Sequence, residues 1–133
     1  MKTVLFRTNG DIRVVSVNPE APSFQEFQRI TGQGWAEYVT PRFGGREAER
    51  IVIVCDDEGR LKGYGMNVFA SYLYGTHVHG SPIVGDVILM QPGMTDEGPG
   101  FSFYKDEEIR GLVETIRSIV SRINCKFNFI EEE

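Results

Sequence analysis

The chain has 133 residues, with 14 Lys and Arg against 19 Asp and Glu, which gives a formal net charge of −5. Hydrophobic residues make up 41% and charged residues 25%, the proportions of one globular domain. The acidic balance argues against a nucleic-acid partner, because that affinity comes mainly from Lys and Arg that neutralise phosphates. No apolar run approaches the roughly 18 residues of a membrane span, and the low cysteine content favours a reducing compartment. We therefore expect a cytoplasmic protein that does not cross a membrane.

The first half of the chain predicts short strands and one short helix. Strand-like runs cover 3–7, 12–17 and 35–40, and the continuous apolar run 50–55 predicts a central strand. Asn9-Gly10 joins the first two runs and predicts a hairpin, because Asn-Gly tolerates positive φ at both central turn positions. Ser23 and Glu26 have the spacing of a capping box, and Gly32 is expected to end the helix that they begin.

The second half ends in the strongest helix signal of the sequence. Asn67 is a predicted N-cap and Gly75 the predicted end of a short helix. A strand is expected over 87–90, a loop over 91–100, a brief strand over 101–104 and an edge strand over 127–130. From Asp106 onward, apolar residues recur at i, i+3, i+4 and i+7: Ile109, Leu112, Val113, Ile116, Ile119, Val120 and Ile123.

These elements predict a single α+β domain over 1–130, with a mostly antiparallel sheet of five or six strands. A long C-terminal helix and one or two short helices would pack on it, and the acidic tail 131–133 would be frayed. Cys55 and Cys125 both follow apolar patterns and are expected to be buried thiols. The broad apolar stripe of the last helix leaves open whether it covers the sheet or partly faces a second subunit in a homo-oligomer.

The middle of the chain carries a recognisable succession of motifs. The run IVIVCDDEGRLKG at 51–63 is followed by Asn67, by Leu73-Tyr74-Gly75, and by Ile83-Val84-Gly85-Asp86-Val87. This succession resembles the DUF3846 family of small phage, plasmid and bacterial proteins, over roughly 24–112. The chain departs from the family pattern at Gly65-Met66, where Pro often precedes the Asn, and in its longer segments after Thr76 and Gln91. The resemblance implies a mobile-element accessory protein and supplies no mechanism, since the function of that family is unknown.

Polar and aromatic side chains concentrate in the segment after residue 61. Aromatic rings that stack on bases, beside cationic donors, are what a nucleotide-like ligand needs. Gly63 to Asn67 also resembles a loop that holds an anion at a helix N-terminus, although it matches no phosphate-loop motif. The candidate ligand-binding residues are Lys62, Tyr64, Asn67, Tyr72 and Tyr74, with Arg42 and Arg46 from the nearby basic cluster that also includes Arg50. The alternative is that Tyr72 and Tyr74 pack at the rim of the core.

His77 and His79 form the most specific candidate metal-binding motif of the sequence. Residues two apart on an extended backbone point to one face, so both imidazoles could reach one metal, and Asp86 could be the third ligand. The alternative is a pair of exposed loop histidines. The acidic run 56–58 before Gly59 is interpreted as a solvated β-turn.

Three functions remain open on the sequence alone. The first is a non-enzymatic binding module of a phage or mobile element, which sequesters a small nucleotide-like signal or a host defence protein; the sequestration is an analogy. The second is a small metal-dependent hydrolase that uses His77, His79 and Asp86. The third is an acidic mimic of DNA, for which a charge of −5 is modest. No cofactor other than the candidate metal is predicted.

Overall fold

The strands join into one mostly antiparallel sheet, shown by a computed structural model that describes residues 1–43, 45–76 and 80–130. The strands in the described part are β1 Lys2–Phe6, β2 Asp11–Ser16, β3 Ala36–Val39, β4 Val52–Asp56, β5 Val87–Thr95, β6 Gly98–Ser102 and β7 Asn128–Ile130. The helices there are α1 Ser23–Thr31, α2 Val68–Tyr74 and α3 Ile109–Val120, with a 3-10 helix over Gly45–Ala48. The predicted α+β fold with a long C-terminal helix is confirmed.

The strand order is β3-β4-β5-β1-β2-β7, and β6 pairs with the outer half of β5. β7 runs parallel to β2 at one edge, and the other pairings are antiparallel. β4 lies between β3 and β5, as its apolar run predicts. The predicted strand at 127–130 is likewise found at an edge.

Both faces of the sheet are covered, which explains why β4 is apolar from Val52 to Cys55. Ile53 faces a cluster with Phe69 of α2 and Ile116 of α3. Val52 faces a second cluster with Phe27 of α1. Because side chains of a strand alternate between the two faces, a strand buried on both must be apolar at every position. The stripe of α3 therefore covers the sheet, with Leu112, Ile116 and Ile119 buried.

The β1–β2 hairpin forms as predicted, but its turn differs in detail. Positive φ occurs at Gly10 (+95°) and not at Asn9. The Gly10 N–H donates to the Arg7 carbonyl at 3.1 Å, and the Asn9 side-chain oxygen accepts from the Asp11 N–H at 2.9 Å. Asn9 thus acts through its side chain rather than through a left-handed backbone.

The predicted capping box of α1 is wrong. The Ser23 hydroxyl pairs with the Tyr38 hydroxyl at 2.6 Å and makes no cap. Glu26 is 4% exposed and accepts from the Asn18 N–H at 2.6 Å and from Arg29. Ser23 and Glu26 therefore form hydrogen bonds with residues outside α1 instead of the capping box. Gly32 ends the helix with φ +70°, as predicted.

The predicted loop over 91–100 is wrong as well, since β5 continues to Thr95 and pairs with β6. This hairpin extends beyond the main sheet, where each strand has one neighbour, so Pro92 removes no shared ladder bond. Gly98, with φ +107°, and the Thr95 hydroxyl, which donates to the Gly98 carbonyl at 2.8 Å, close the turn.

The two thiols have different surroundings. Cys55 is 3% exposed and lies in β4, as predicted. Cys125 is exposed, so its predicted burial is wrong. The apolar periodicity of α3 ends before it, because the helix stops at Val120. The predicted frayed tail 131–133 lies outside the described residues.

Candidate functional site

A polar cavity lies beside the loop that connects β4 to α2. It has a volume of about 320 Å³ and brings together four separate parts of the chain. It is lined by Thr8, Thr31, Gly32, Gln33, Tyr64, Gly65, Gly85 and Asp86. We call it the Tyr64 cavity. Tyr64, predicted as a ligand contact, and Asp86, predicted as a metal ligand, therefore lie in the same place.

Gln33 fixes one wall of the Tyr64 cavity. Its side-chain Nε2 donates to the Asp86 carbonyl at 2.8 Å, and its Oε1 accepts from the Asp86 N–H at 2.7 Å. This pairing holds the Gly85-Asp86 turn against the end of α1. Because both polar atoms of the Gln33 amide bond the Asp86 backbone, we assign Gln33 the role of holding the cavity wall in place.

Tyr64 packs its ring against glycine backbone. A Cβ at Gly85 would lie 2.9 Å from Tyr64 Cδ2, and a Cβ at Gly59 would lie 3.2 Å from the same atom. Side chains at these two positions would displace the ring. The glycines that resemble the family pattern thus have a physical role, which is close approach to Tyr64.

Asp86 presents an acceptor to the cavity. Its Oδ1 accepts from the Thr8 N–H at 3.0 Å, and its Oδ2 accepts no hydrogen bond from the part of the chain that the structure describes. A carboxylate with a free oxygen can accept from hydroxyl or amino groups of a ligand.

Lys62 stands beside the Tyr64 ring, with its ammonium 5.9 Å from the ring centroid. It donates to Asp56 Oδ2 at 2.7 Å, and the Asp56 side chain is fully buried while that of Lys62 is 32% exposed. Burial alone would raise the pKa of Asp56, but bonds from Lys62 and from the Gly34 and Glu58 N–H groups lower it overall. The predicted turn forms, with the Gly59 N–H donating to the Asp56 carbonyl at 3.2 Å, but the Asp56 side chain is a buried ion-pair partner and not solvated.

Asn67 is fully engaged in the fold. Its side-chain oxygen accepts from the Ala70 N–H at 3.1 Å, which confirms the predicted N-cap. Its side-chain nitrogen, Nδ2, donates to the carbonyls of Phe6 and Gly85, each at 3.0 Å. With 1% exposure, the side chain offers no group to a ligand, and it supports the Gly85 turn from behind.

The other predicted ligand contacts lie elsewhere. Tyr72 lines an apolar cavity of about 310 Å³ that also includes Ile123. Tyr74 packs against the core, and the Arg42 guanidinium lies 5.8 Å from its ring centroid. Arg46 lines a third cavity, next to α3. The structure therefore places the seven candidates in several locations instead of one.

Two of the three predicted metal ligands, His77 and His79, lie outside the described residues. Asp86 is the only one of the three that the structure places. Among residues 1–43, 45–76 and 80–130, no group of three or more His, Cys, Asp and Glu side chains is arranged to hold a metal ion.

Gln33 and Thr8 belong to the site and were not predicted from the sequence. Gln33 lies 53 positions from its partner Asp86, and Thr8 lies 78 positions away. A lone Gln after a helix end carries no local signal for such a contact. The sequence indicates the turn before β5 only through Gly85, a residue type that favours turns. In the structure its φ is +83°.

No family model, curated protein or solved structure matches this chain. Within the part of the chain that the structure describes, every helix is too short or too polar to cross a bilayer.

Proposed function

We propose that this chain is a non-enzymatic binding module that takes up a small nucleotide-like molecule in the Tyr64 cavity. The observation that carries the proposal is a polar cavity lined by the Tyr64 ring and the Asp86 carboxylate, with the Lys62 ammonium 5.9 Å from the centroid of that ring. The resemblance to DUF3846 supports a role as an accessory protein of a phage or other mobile element.

Each group suits a different part of such a ligand. The Tyr64 ring offers a surface on which a base can stack, a contact that contributes about 1–3 kcal/mol. The free Oδ2 of Asp86 accepts from sugar hydroxyls or exocyclic amino groups. Lys62 keeps ammonium protons beyond the one it gives to Asp56, and these can reach a phosphate.

The charges around the Tyr64 cavity determine the orientation that we expect for the ligand. Asp56 and Lys62 neutralise each other, and Asp86 leaves the cavity with one negative charge. A phosphate near Asp86 would be repelled. We therefore expect the neutral, donor-rich part of the ligand at Asp86 and its phosphate at the Lys62 side.

Calorimetric titration with linear mononucleotides, cyclic AMP, cyclic GMP and cyclic dinucleotides tests this proposal. We expect binding to at least one of them, weakened about tenfold or more by Tyr64→Ala, since that factor corresponds to about 1.4 kcal/mol. Tyr72→Ala is the matched control, because Tyr72 is also partly buried but lines a different cavity. No heat with any nucleotide, or equal losses in both variants, would contradict the proposal.

An aromatic surface favours a second candidate, the capture of a host protein. The rings of Tyr38 and Phe101 stack with centroids 5.5 Å apart, yet their side chains are 37% and 41% exposed. Phe24, which follows the Ser23 that bonds Tyr38, is 41% exposed. Adjacent exposed aromatic rings are typical of protein interfaces.

Affinity capture from a bacterial lysate separates the two candidates. If this surface binds a host protein, Phe101→Asp abolishes retention of one defined protein band, whereas Tyr64→Ala leaves it unchanged. Met94→Asp is the control, because Met94 is 79% exposed on the same hairpin. Retention that is the same for Phe101→Asp and the native protein would eliminate this candidate.

A further inference from the structure

A second polar cavity is lined by residues of the 3-10 helix and the segment after it, of β5 and of α3. Its volume is about 260 Å³. Its polar lining consists of Arg46, Arg50, Gln91, Tyr104, Glu108 and Thr115. We call it the arginine cavity.

One wall of the arginine cavity carries donors. Arg46 and Arg50 stand four positions apart, and within the described residues neither guanidinium group takes part in a hydrogen bond or an ion pair. Guanidinium groups bind carboxylates and phosphates with two parallel hydrogen bonds. This wall therefore suits the anionic group of a ligand.

The opposite wall carries acceptors. The Glu108 carboxylate is held by the Lys105 N–H at 2.9 Å and by Gln91 Nε2 at 3.3 Å. The bond from Lys105 contributes most to a lowered pKa of Glu108, which keeps it ionised at neutral pH. Gln91 is only 8% exposed, and its Oε1 accepts no hydrogen bond from the described residues. The Tyr104 hydroxyl donates to the Met90 carbonyl at 2.8 Å and retains an acceptor lone pair.

The two walls have opposite charge, and although the charge of Arg50 is a minor cause of the lowered pKa of Glu108, no ion pair joins the walls within the described residues. Among the described residues, neither arginine forms an ion pair with Glu108, although all three line one cavity. Unpaired opposite charges that face a common space are satisfied together by a ligand that carries both charges. A simple dianion would meet Glu108, and a simple cation would meet the arginines.

We propose that the arginine cavity binds a small zwitterion, whose anionic group lies against Arg46 and Arg50 and whose ammonium group lies against Glu108 and Gln91. The required chemistry is a primary ammonium and an anionic oxygen group in one small molecule. Free α-amino acids and aminoalkyl phosphates both provide it. The apolar side chains of Ile51 and Leu112 complete the lining and can contact a short aliphatic part. This site is separate from the Tyr64 cavity and does not depend on nucleotide binding there.

Titration of the native protein with chemically matched probes tests the proposal. The probes are the common L-amino acids and phosphoethanolamine, which distinguish a carboxylate from a phosphate source. For any amino acid that binds, we expect the N-acetylated form and the amide form to bind about tenfold more weakly or worse, because each lacks one of the two charges. No binding by any of these zwitterions would overturn the proposal, and so would N-acetylated forms that bind equally well.

Two variants then locate the site on the protein. Arg50→Gln and Glu108→Gln should each weaken binding about tenfold or more, since each removes a charge-assisted hydrogen bond. Arg60→Gln and Glu114→Gln are the controls, because both side chains are exposed and neither lines the cavity. Thermal melting verifies that each variant is folded. Unchanged affinity in a folded Arg50→Gln protein would place the ligand elsewhere and overturn the assignment.

Discussion

The Gln33 side chain forms two hydrogen bonds with the backbone of Asp86, at 2.7 and 2.8 Å, across 53 positions of sequence. The amide supplies one donor and one acceptor, as a neighbouring strand would. It thereby joins the end of α1 to the turn before β5, and one wall of the Tyr64 cavity depends on it.

Gln33→Glu should destabilise the protein at neutral pH by about 1–3 kcal/mol, the usual effect of leaving a buried polar group unpaired. The substitution keeps the shape but replaces the donor Nε2 with an oxygen that faces the Asp86 carbonyl. Urea denaturation measures the free energy of unfolding. The loss should shrink below about pH 4, where a protonated Glu can donate again. Gln25→Glu, on an exposed position of α1, is the control, and an equal effect there would contradict this account.

Gly85→Ala should destabilise more than Gly98→Ala. Both glycines have positive φ, which costs a residue with a Cβ about 1–2 kcal/mol. Only at Gly85 would the new Cβ also meet Gln33 Oε1 at 2.7 Å and Tyr64 Cδ2 at 2.9 Å. Gly65→Ala, with open space around it, should have little effect. Thermal unfolding ranks the three variants, and an equal loss at 85 and 98 would show that the contact is relieved by side-chain movement.

Asp56→Asn should lower the free energy of unfolding at pH 7 by about 1–3 kcal/mol. Burial raises the pKa of Asp56, but the bonds from Lys62 and two N–H groups lower it below its ordinary 3.8. A depressed folded-state pKa gives stability that is present above pH 3.8 and is lost as the pH falls through the folded value. The difference between Asp56→Asn and the native protein should therefore shrink in acid.

Urea denaturation at neutral pH and at about pH 3 measures that change, since about pH 3 lies below the ordinary pKa of an aspartate. Asp57→Asn provides the comparison, because Asp57 is the exposed neighbour in sequence. A difference for Asp56→Asn that stays constant across the two pH values would mean that the ion pair does not contribute.

The two thiols should react at very different rates. Burial is the main cause that raises the pKa of Cys55 to about 12, so its reactive thiolate is scarce at pH 8. Cys125 is exposed. The reagent DTNB should titrate one thiol in the folded protein and both in urea. Cys125→Ser should remove the fast reaction, and a fast reaction that persists in this variant would show that Cys55 is accessible.

Local signals predicted much of the fold. Asn67 and Gly75 cap the two ends of α2 through hydrogen bonds to residues three or four positions away. Such local hydrogen bonds can be predicted from the residue types alone. The uninterrupted apolar run of β4 likewise predicts burial on both faces. Local sequence patterns gave a wrong prediction where a distant residue competes for a side chain. The Ser23 hydroxyl bonds the Tyr38 hydroxyl instead of capping its own helix.

The candidate site was predictable only in part. Tyr64 and Asp86 were both identified, but for different chemistries, because nothing in the sequence indicates that their loops meet. Gln33 was missed since its partner is distant. The sequence predicts Asn67 as a ligand contact because the same polarity that suits a ligand also suits the backbone carbonyls of Phe6 and Gly85.

The strand order has a consequence for how this chain reaches its native state. β1, which is synthesised before β5, occupies an interior position next to it, and the Thr3 hydroxyl exchanges hydrogen bonds with Leu89 across 86 positions. Such distant contacts raise the contact order, and high contact order slows folding. On the ribosome, the β1 edge of the β1–β2 hairpin must wait unpaired until β5 emerges. A prematurely released fragment that ends before residue 87 would expose that edge to aggregation.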